Sequence, residues 1–328
     1  MSLHSVIAVR VWTTSFLWML LYPGCVTGLR ISAFNVQTFG QTKAGRADVM
    51  DILTKIVLRY DIIVIQEIRD IAGTAIRQLQ QQVNDNSNGA FYNLTLSIRL
   101  GNTNSKEEYG FLYRTDRVKY LREHLYDEGV NNTFEREPFM IEFEADVQGL
   151  NKFVLGAIHI KPDTAVEELI GLTHVFDQAK TVFSTEDVMI MGDLNADCSY
   201  VSQRDWPRIT LKSDPAFHWL IGDEIDTTVK STDCAYDRLI LTGSDFYSAL
   251  VPGSAGIFRF DTEYGLSATQ AERVSDHYPV HFELKDRPVD NVTDGENGQS
   301  VTRFSPRVLL AAAASTFGAW YHHRNVEL

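Results

Sequence analysis

The stretch DVMIMGDLNAD, residues 187–197, decides how this chain folds. Residues 188–191 form a continuous apolar run, as expected for a strand that is buried on both faces. The run stops at a glycine, and Asp193, Asn195 and Asp197 follow directly. A buried strand that ends in oxygen-bearing side chains indicates a sheet with a polar site at its edge.

Apolar strand-like runs alternate with helical segments along the rest of the chain. Apolar spacing predicts helices over 47–60 and 164–183. No repeat or low-complexity block interrupts residues 29–285, so we expect one α/β domain, a sandwich of sheets buried under helices. The predicted strands are 29–34, 61–65, 110–113, 139–143, 152–160, 187–191, 236–242 and 279–284.

Six apolar segments border on a carboxylate, carboxamide or imidazole. Taken singly, each polar residue can be a turn residue or a cap. Carboxylates that are desolvated together repel unless they are paired or bind a cation. These residue types bind a hard cation or transfer protons. Their occurrence at six segments predicts a metal-dependent catalytic site. The residues are Asn35, Glu67, His159, Asp193, Asn195, Asp237, Asp276 and His277.

Residues 1–28 have the pattern of a secretion signal peptide. Arg10 precedes an apolar stretch at 16–21, and the small residues of 26–28 provide a cleavage site. The alternative is an N-terminal membrane anchor, but the apolar run is short for a span.

Removal of the leader would take Cys25 with it. Cys198 and Cys234 would then be a natural disulfide pair in an oxidising compartment. N-glycosylation sequons fit the same secretory route, and they lie at Asn93, Asn131 and Asn291.

The formal net charge is −13. This charge argues against a basic protein that coats nucleic acid. It leaves open an enzyme that acts on a polyanion and uses a divalent cation and a few arginines to offset repulsion.

Several ordered stretches carry more information than any single motif: ISAFNVQTFG, RYDIIVIQEIRD, GDLNADCSYV, STDCAYDRLI, LVPGSAG and SDHYPVHFEL. In these stretches the chain resembles the deoxyribonuclease I family, within the larger group of metal-dependent endonuclease, exonuclease and phosphatase domains. The resemblance covers residues 29–285. It implies a four-layer sandwich of two mixed β-sheets flanked by helices, and a monomeric, secreted endonuclease that cuts DNA with Mg²⁺ and Ca²⁺.

The resemblance also implies roles for particular residues. The implied metal ligands and phosphate-orienting groups are Glu67, Asn35, Asn195 and Asp276. The implied catalytic histidines are His159, supported by Glu107, and His277, supported by Asp237, with Asp193 orienting the attacking water. The implied DNA contacts, to the backbone and the minor groove, are Arg69, Arg136 and Tyr236.

The chain departs from the family's pattern at a few positions. Gln37 stands where the family typically has an arginine, and Ser105 stands where it has a tyrosine, so we expect weaker duplex binding. Asp226 and Thr228 resemble part of a structural calcium loop, although Lys230 is a poor neighbour for a cation.

Residues 286–328 read as a polar linker followed by a short apolar tail. A small-residue site near 297–298 and the apolar stretch from 308 resemble a lipid-anchor signal, but the polar ending argues against one. A peripheral amphipathic tail, which would associate with a membrane, and a disordered tail are the alternatives.

Two other functions remain open from the sequence. One is a phosphatase or phosphodiesterase of the same superfamily that acts on inositol phosphates or sphingomyelin. The other is a catalytically inactive DNA-binding relative, which would normally have lost part of the catalytic set.

Overall fold

Two six-stranded sheets organise residues 28–288, the part of the chain that the computed structural model describes. Sheet 1 has a parallel pair at its centre, and its other neighbours are antiparallel. Its strands, in order across the sheet, are β11 (Gly256–Ile257), β12 (Val280–Leu284), β1 (Leu29–Phe39), β2 (Ile62–Ile68), β4 (Glu108–Arg114) and β3 (Tyr92–Leu96).

Sheet 2 has the same plan, with a parallel pair at its centre and antiparallel neighbours. Its strands, in order, are β5 (Val118–Leu125), β6 (Phe139–Val147), β7 (Leu150–Ala157), β8 (Val188–Asp193), β10 (Asp237–Thr242) and β9 (His218–Trp219).

Helices cover the outer faces of both sheets. They are α1 (Gln41–Ala44), α2 (Ala47–Val57), α3 (Thr74–Asp85), α4 (Ala165–Phe183), α5 (Thr210–Ser213), α7 (Phe260–Glu263) and α8 (Ala268–Val274), with 3₁₀ turns at Pro162–Thr164 and Trp206–Arg208. Helix α6 (Ser244–Ala249) instead packs Phe246 and Ala249 into the core between the sheets. Within the described residues, no helix is both long and apolar enough to cross a membrane.

The central strands are apolar on both faces because each face packs in a separate core. In β8, Met189 and Met191 point into the core between the sheets, whereas Val188 and Ile190 pack with α4. The side chains of β1 and β2 alternate in the same way between the core that lies between the sheets and a third core under α2, α3 and α8. The four layers are therefore helices, sheet 1, sheet 2 and helices, which confirms the predicted sandwich.

The predicted segments correspond to strands and helices of the structure, with shifted ends. Helix α2 stops at Val57, three residues before the predicted end. Strand β7 ends at Ala157 and not at 160, because the chain then leaves the β6 ladder and the N–H of His159 donates to the Tyr109 hydroxyl.

The predicted leader, apart from residue 28, lies outside the described residues. So do Asn291 and residues 289–328 of the predicted C-terminal segment.

Candidate active site

The site lies where the central strands of the two sheets end. In sheet 1, Asn35 of β1 pairs with Gln66 of β2, just before the register between the two strands shifts. In sheet 2, Asp193 at the end of β8 pairs with Asp237 at the start of β10. The buried strands therefore deliver polar side chains from both sheets to one edge of the sandwich.

Gln66 ties the two sheets together at this edge. Its side-chain NH₂ donates to the Ile158 carbonyl, and its oxygen accepts from the N–H of Asp193 at 3.1 Å. Gly192 makes this approach possible: a Cβ at this position would lie 2.5 Å from the Gln66 side-chain nitrogen and 2.3 Å from the Ile158 oxygen, and φ is +137°. A side chain at position 192 would therefore push the two sheets apart at the site.

His159 is fixed by a buried carboxylate. Its Nδ1 lies 2.8 Å from Glu107 Oε2, while Glu107 Oε1 accepts from Arg69 at 2.7 Å and lies 3.5 Å from Arg136 Nη1. Burial disfavours the Glu107 charge, but His159 and the two arginines outweigh it and lower the pKa of Glu107 to about 2. Arg136 also donates to the His159 carbonyl at 2.9 Å, so the imidazole is held at both backbone and ring.

His277 is fixed in the same manner from sheet 2. Its Nδ1 lies 2.8 Å from Oδ2 of Asp237, which is fully buried. Burial opposes the imidazolium, but the carboxylates of Asp237 and Asp193 prevail and raise the pKa of His277 to about 10. Ser275 sets the backbone, because its hydroxyl donates to the Asn35 carbonyl at 2.6 Å and accepts from the His277 N–H at 3.1 Å.

Asp193 lies between the two histidines. Its Oδ2 is 3.5 Å from His159 Nε2 and 3.5 Å from His277 Nε2, and it accepts from the Asn35 amide at 3.0 Å. Its Oδ1 accepts from the N–H of Asn195 at 3.0 Å. One carboxylate oxygen thus faces both ring nitrogens that point into the cleft.

Glu67 lies on the sheet 1 side of this cluster. Its Oε1 accepts from the Asn35 amide at 3.2 Å, and its Oε2 accepts from the N–H of Thr38 at 2.8 Å and lies 3.0 Å from Arg69. A φ of +58° turns Glu67 away from the β2 ladder and costs on the order of 1 kcal/mol for a residue with a Cβ.

Asp276 lies on the other side, next to His277. Its Oδ2 accepts from the Gln37 side chain at 2.8 Å and from Lys230 at 3.0 Å. Its Oδ1 is 3.9 Å from His277 Nε2. Hydrogen bonds and ion pairs therefore connect the cluster from Glu67 to Asp276.

Hard oxygen donors in this cluster fit a divalent cation. Ligand atoms of Asp193, Asp237 and His277 lie within 4.8 Å of one another, but Asp237 and His277 are already hydrogen-bonded to each other. The carboxylates of Glu67, Asp193 and Asp276 are better donors, since none of them is hydrogen-bonded to a histidine Nδ1 and carboxylate oxygens suit a hard cation. The Asn35 oxygen accepts from the N–H of Gln37 at 2.9 Å, so in this structure Asn35 orients the carboxylates through its NH₂.

Comparison with known proteins identifies the family of this chain. A family model described as the Endonuclease/Exonuclease/phosphatase family matches residues 32–277. Deoxyribonuclease-1 of Canis lupus familiaris is 42% identical over 274 residues, which cover 81% of this chain and 96% of the relative. Deoxyribonuclease gamma of Rattus norvegicus is 42% identical over 275 residues, which cover 82% and 88%. The chain belongs to the deoxyribonuclease I family.

Solved structures support the fold at greater distance. The crystal structure of D. rerio TDP2 complexed with single strand DNA product has a TM-score of 0.54 and 15% identity, and the match covers 78% of this chain and 98% of that one. The endonuclease/exonuclease/phosphatase protein from Bacteroides vulgatus has a TM-score of 0.54 and 13% identity, and the match covers 78% and 99%. At these identities the likeness concerns the fold alone, and it agrees with the two mixed sheets.

The residues of this chain that are predicted to contact DNA differ in their exposure to solvent. A cavity of about 330 Å³ beside His159 is lined by Arg69, Ser105 and Arg136. The Arg69 side chain is 36% exposed, whereas Arg136 is buried. Tyr236 lies beside the other histidine, with its ring centroid 6.4 Å from that of His277. Contact with DNA remains a prediction for all three of the residues named for it.

The structure contains the expected Cys198–Cys234 disulfide, with a Cα–Cα distance of 5.9 Å. It closes the segment that includes the predicted calcium loop. Asp226 Oδ1 accepts there from the N–H of Thr228 at 2.9 Å and from its hydroxyl at 2.7 Å. Calcium at this loop remains a prediction.

Two of the sequon asparagines lie within the described residues. Asn93 is in the edge strand β3 and Asn131 is in a loop, and both are exposed. Glycosylation remains a prediction.

Sequence reasoning missed several residues that shape the site. Gln66 stands out only as a polar residue directly after the predicted strand 61–65. Tyr109 and Ser275 gave no signal in the sequence. Lys43 is buried and donates to the carbonyls of Val36, Gln37 and Val274, so it joins the end of β1 to the end of α8. Burial lowers the pKa of Lys43 to about 8, against the opposing pull of nearby carboxylates.

Proposed function

We propose that this chain is a divalent-metal-dependent endonuclease that hydrolyses DNA phosphodiester bonds with little sequence preference. The observation that carries the proposal is the placement of His159 Nε2 and His277 Nε2, each 3.5 Å from one oxygen of Asp193 and each backed by its own carboxylate. Relatives at about 40% identity are named deoxyribonucleases, which supports DNA as the substrate.

The geometry suits a hydrolysis that needs one proton acceptor and one proton donor. Asp193 Oδ2 orients a water towards phosphorus. One imidazole accepts a proton from that water, and the other donates a proton to the leaving 3′ oxygen as its bond to phosphorus breaks. Glu107 and Asp237 hold the Nδ1 atoms, so each Nε2 faces the reacting atoms.

A metal ion has a specific place in this scheme. Glu67, Asp193, Asn195 and Asp276 would hold it, and Mg²⁺ fits such oxygen donors. When bound, the ion neutralises charge on the non-bridging phosphate oxygens. We assign Ca²⁺ to the loop of Asp226 and Thr228 as a structural ion.

DNA would be held through its backbone and minor groove. Arg69 is partly exposed beside the cleft and Tyr236 flanks His277, so both are placed to contact substrate. Arg136 would act on phosphate from its more buried position. Contacts of this kind read groove shape and charge, which accounts for weak sequence preference.

We further propose that the protein enters the secretory pathway and acts outside the cell as a monomer. The predicted leader, the Cys198–Cys234 disulfide and the exposed sequon residues Asn93 and Asn131 support this route. We also propose that residues 286–328 associate the protein with a membrane. Treatment of expressing cells with a phosphatidylinositol-specific phospholipase would test a lipid anchor, because it would release an anchored protein.

A plasmid-nicking assay tests the activity directly. We expect the disulfide-bonded protein to nick supercoiled DNA with Mg²⁺ and Ca²⁺, and EDTA to abolish nicking. His159→Ala and His277→Ala should each lose activity, whereas His174→Ala, at an exposed position of α4, should not. An inert wild type that releases phosphate from inositol phosphates would favour the alternative hydrolase, and inert protein that still binds duplex would favour an inactive relative.

A further inference from the structure

The Asp276 side of the site carries a lysine that the chemistry above does not use. Lys230, in the loop between β9 and β10, places Nζ 3.0 Å from Asp276 Oδ2. The neutral Gln37 amide shares this oxygen at 2.8 Å. On the opposite side, the cations that line the cavity beside His159 are Arg69, Arg136 and Lys161. The Asp276 side thus has a cation of its own, supplied by a different part of the chain.

We propose that Lys230 is a substrate-binding residue that contacts a DNA phosphate on the Asp276 side of the cleft. This inference rests on the proposed nuclease function and names one further residue that binds its substrate. An ammonium group has three N–H donors, and Asp276 accepts from one of them. The Lys230 side chain is 48% exposed, so its remaining donors face solvent, where an approaching phosphate oxygen would lie.

The backbone holds Lys230 in register with the catalytic histidine. The N–H of Val229 donates to the Asp276 carbonyl at 2.8 Å, and Thr228 pairs with His277 in an isolated bridge. The N–H of Tyr278 donates to the Thr227 carbonyl at 2.8 Å. The loop therefore cannot shift without moving the segment that carries His277.

Charge explains why a cation is needed at this position. Asp276, Asp193 and Asp237 surround His277, and Gln37 adds no positive charge. A DNA phosphate arriving here would meet carboxylates unless a cation lies between them. Lys230 supplies that charge where the family resemblance predicts an arginine at position 37.

Steady-state kinetics and binding test the proposal. Lys230→Gln should raise KM for a duplex of about 30 bp by about tenfold, as expected for one charge-assisted hydrogen bond, with kcat within about twofold. Duplex binding is then measured by fluorescence anisotropy across a salt series, in a His159→Ala background that keeps the duplex uncut. The slope of log K against log[salt] should be shallower by about 0.9 in Lys230→Gln than in the parent, which corresponds to the loss of one phosphate contact. Lys230→Arg should keep the KM and the salt slope of the protein with Lys230.

Lys119→Gln is the matched control. Lys119 is an exposed lysine paired with Glu144 at 3.8 Å, and it lies roughly 17 Å along the sheet from the end of β6 that pairs with Ala157. Its removal should leave KM and the salt slope unchanged. Gln37 shares the Asp276 oxygen with Lys230. Adding Gln37→Arg to Lys230→Gln should therefore return the salt slope to that of the parent.

Several results would overturn the role of Lys230. One is an unchanged KM and salt slope in Lys230→Gln, and another is an equal effect in Lys119→Gln. A third is a lower Mg²⁺ requirement of Lys230→Gln with unchanged DNA binding, which would make Lys230 only a competitor of the metal. A wild type that binds duplex without cutting it would defeat the proposed activity, and the salt slopes would still decide whether Lys230 contacts DNA.

Discussion

Glu107→Gln is the substitution that tests the site most sharply. Glu107 Oε1 accepts from Arg69 and faces Arg136, while Oε2 faces His159 Nδ1. In the glutamine variant, both arginines would hold the amide oxygen at the Oε1 position. The NH₂ group would then point at His159 Nδ1 and force the ring to carry its proton on Nε2.

This tautomer disables His159 in either role, because a neutral ring protonated at Nε2 can neither accept a proton there nor donate one readily. Turning the amide round would restore the tautomer but would lose the hydrogen bonds to two guanidinium groups, at about 3–4 kcal/mol. We therefore expect kcat to fall by about 10²–10³-fold.

Plasmid nicking and steady-state kinetics would measure the loss, and ¹⁵N NMR of His159 would identify its tautomer. Glu108→Gln is the matched control, because Glu108 is the next residue, pairs with Arg99 at 3.8 Å and lies outside the contacts of His159. Thermal unfolding should show that both variants are folded. A Glu107→Gln protein with kcat within threefold of wild type would refute the reasoning.

Three further predictions follow from other parts of the molecule. Replacing Cys198 and Cys234 by serine should lower the free energy of unfolding by about 4 kcal/mol in urea titrations, since the bond closes a loop with a sequence separation of 36; a loss below about 1 kcal/mol would contradict this. Burial raises the pKa of Glu168 from 4.5 to about 7. The folded state therefore binds more protons than the unfolded state between these pH values, and stability falls as pH rises through them. Glu168→Gln should remove that slope and stabilise the protein at pH 8 by up to about 3 kcal/mol, and an unchanged pH profile of Tm would argue against it. Ser105→Tyr should lower KM for duplex DNA about threefold to tenfold by adding an aromatic surface to the cleft, and a higher KM would count against the assigned path of the DNA.

The central strands and the two long predicted helices could be read from the sequence because burial leaves a plain pattern. The run at 188–191 is apolar throughout, since alternate residues enter different cores. The edge strands left no such pattern. Strand β5, VKYLREHL, borders solvent and is only partly buried, and α3 is rich in glutamine around its narrow apolar stripe. Neither the edge strands nor α3 was predicted.

The sequence by itself determined which chemical groups this protein offers at the ends of its buried strands, because ordered motifs and polar strand ends are local features. The tertiary structure decided which groups meet. His159 and Glu107 are 52 residues apart, and Asp193 of sheet 2 reaches His277, which precedes β12 of sheet 1, where Gln66 and Gly192 let the two sheets approach. Such contacts depend on how separate sheets pack, and no spacing along the chain encodes that distance.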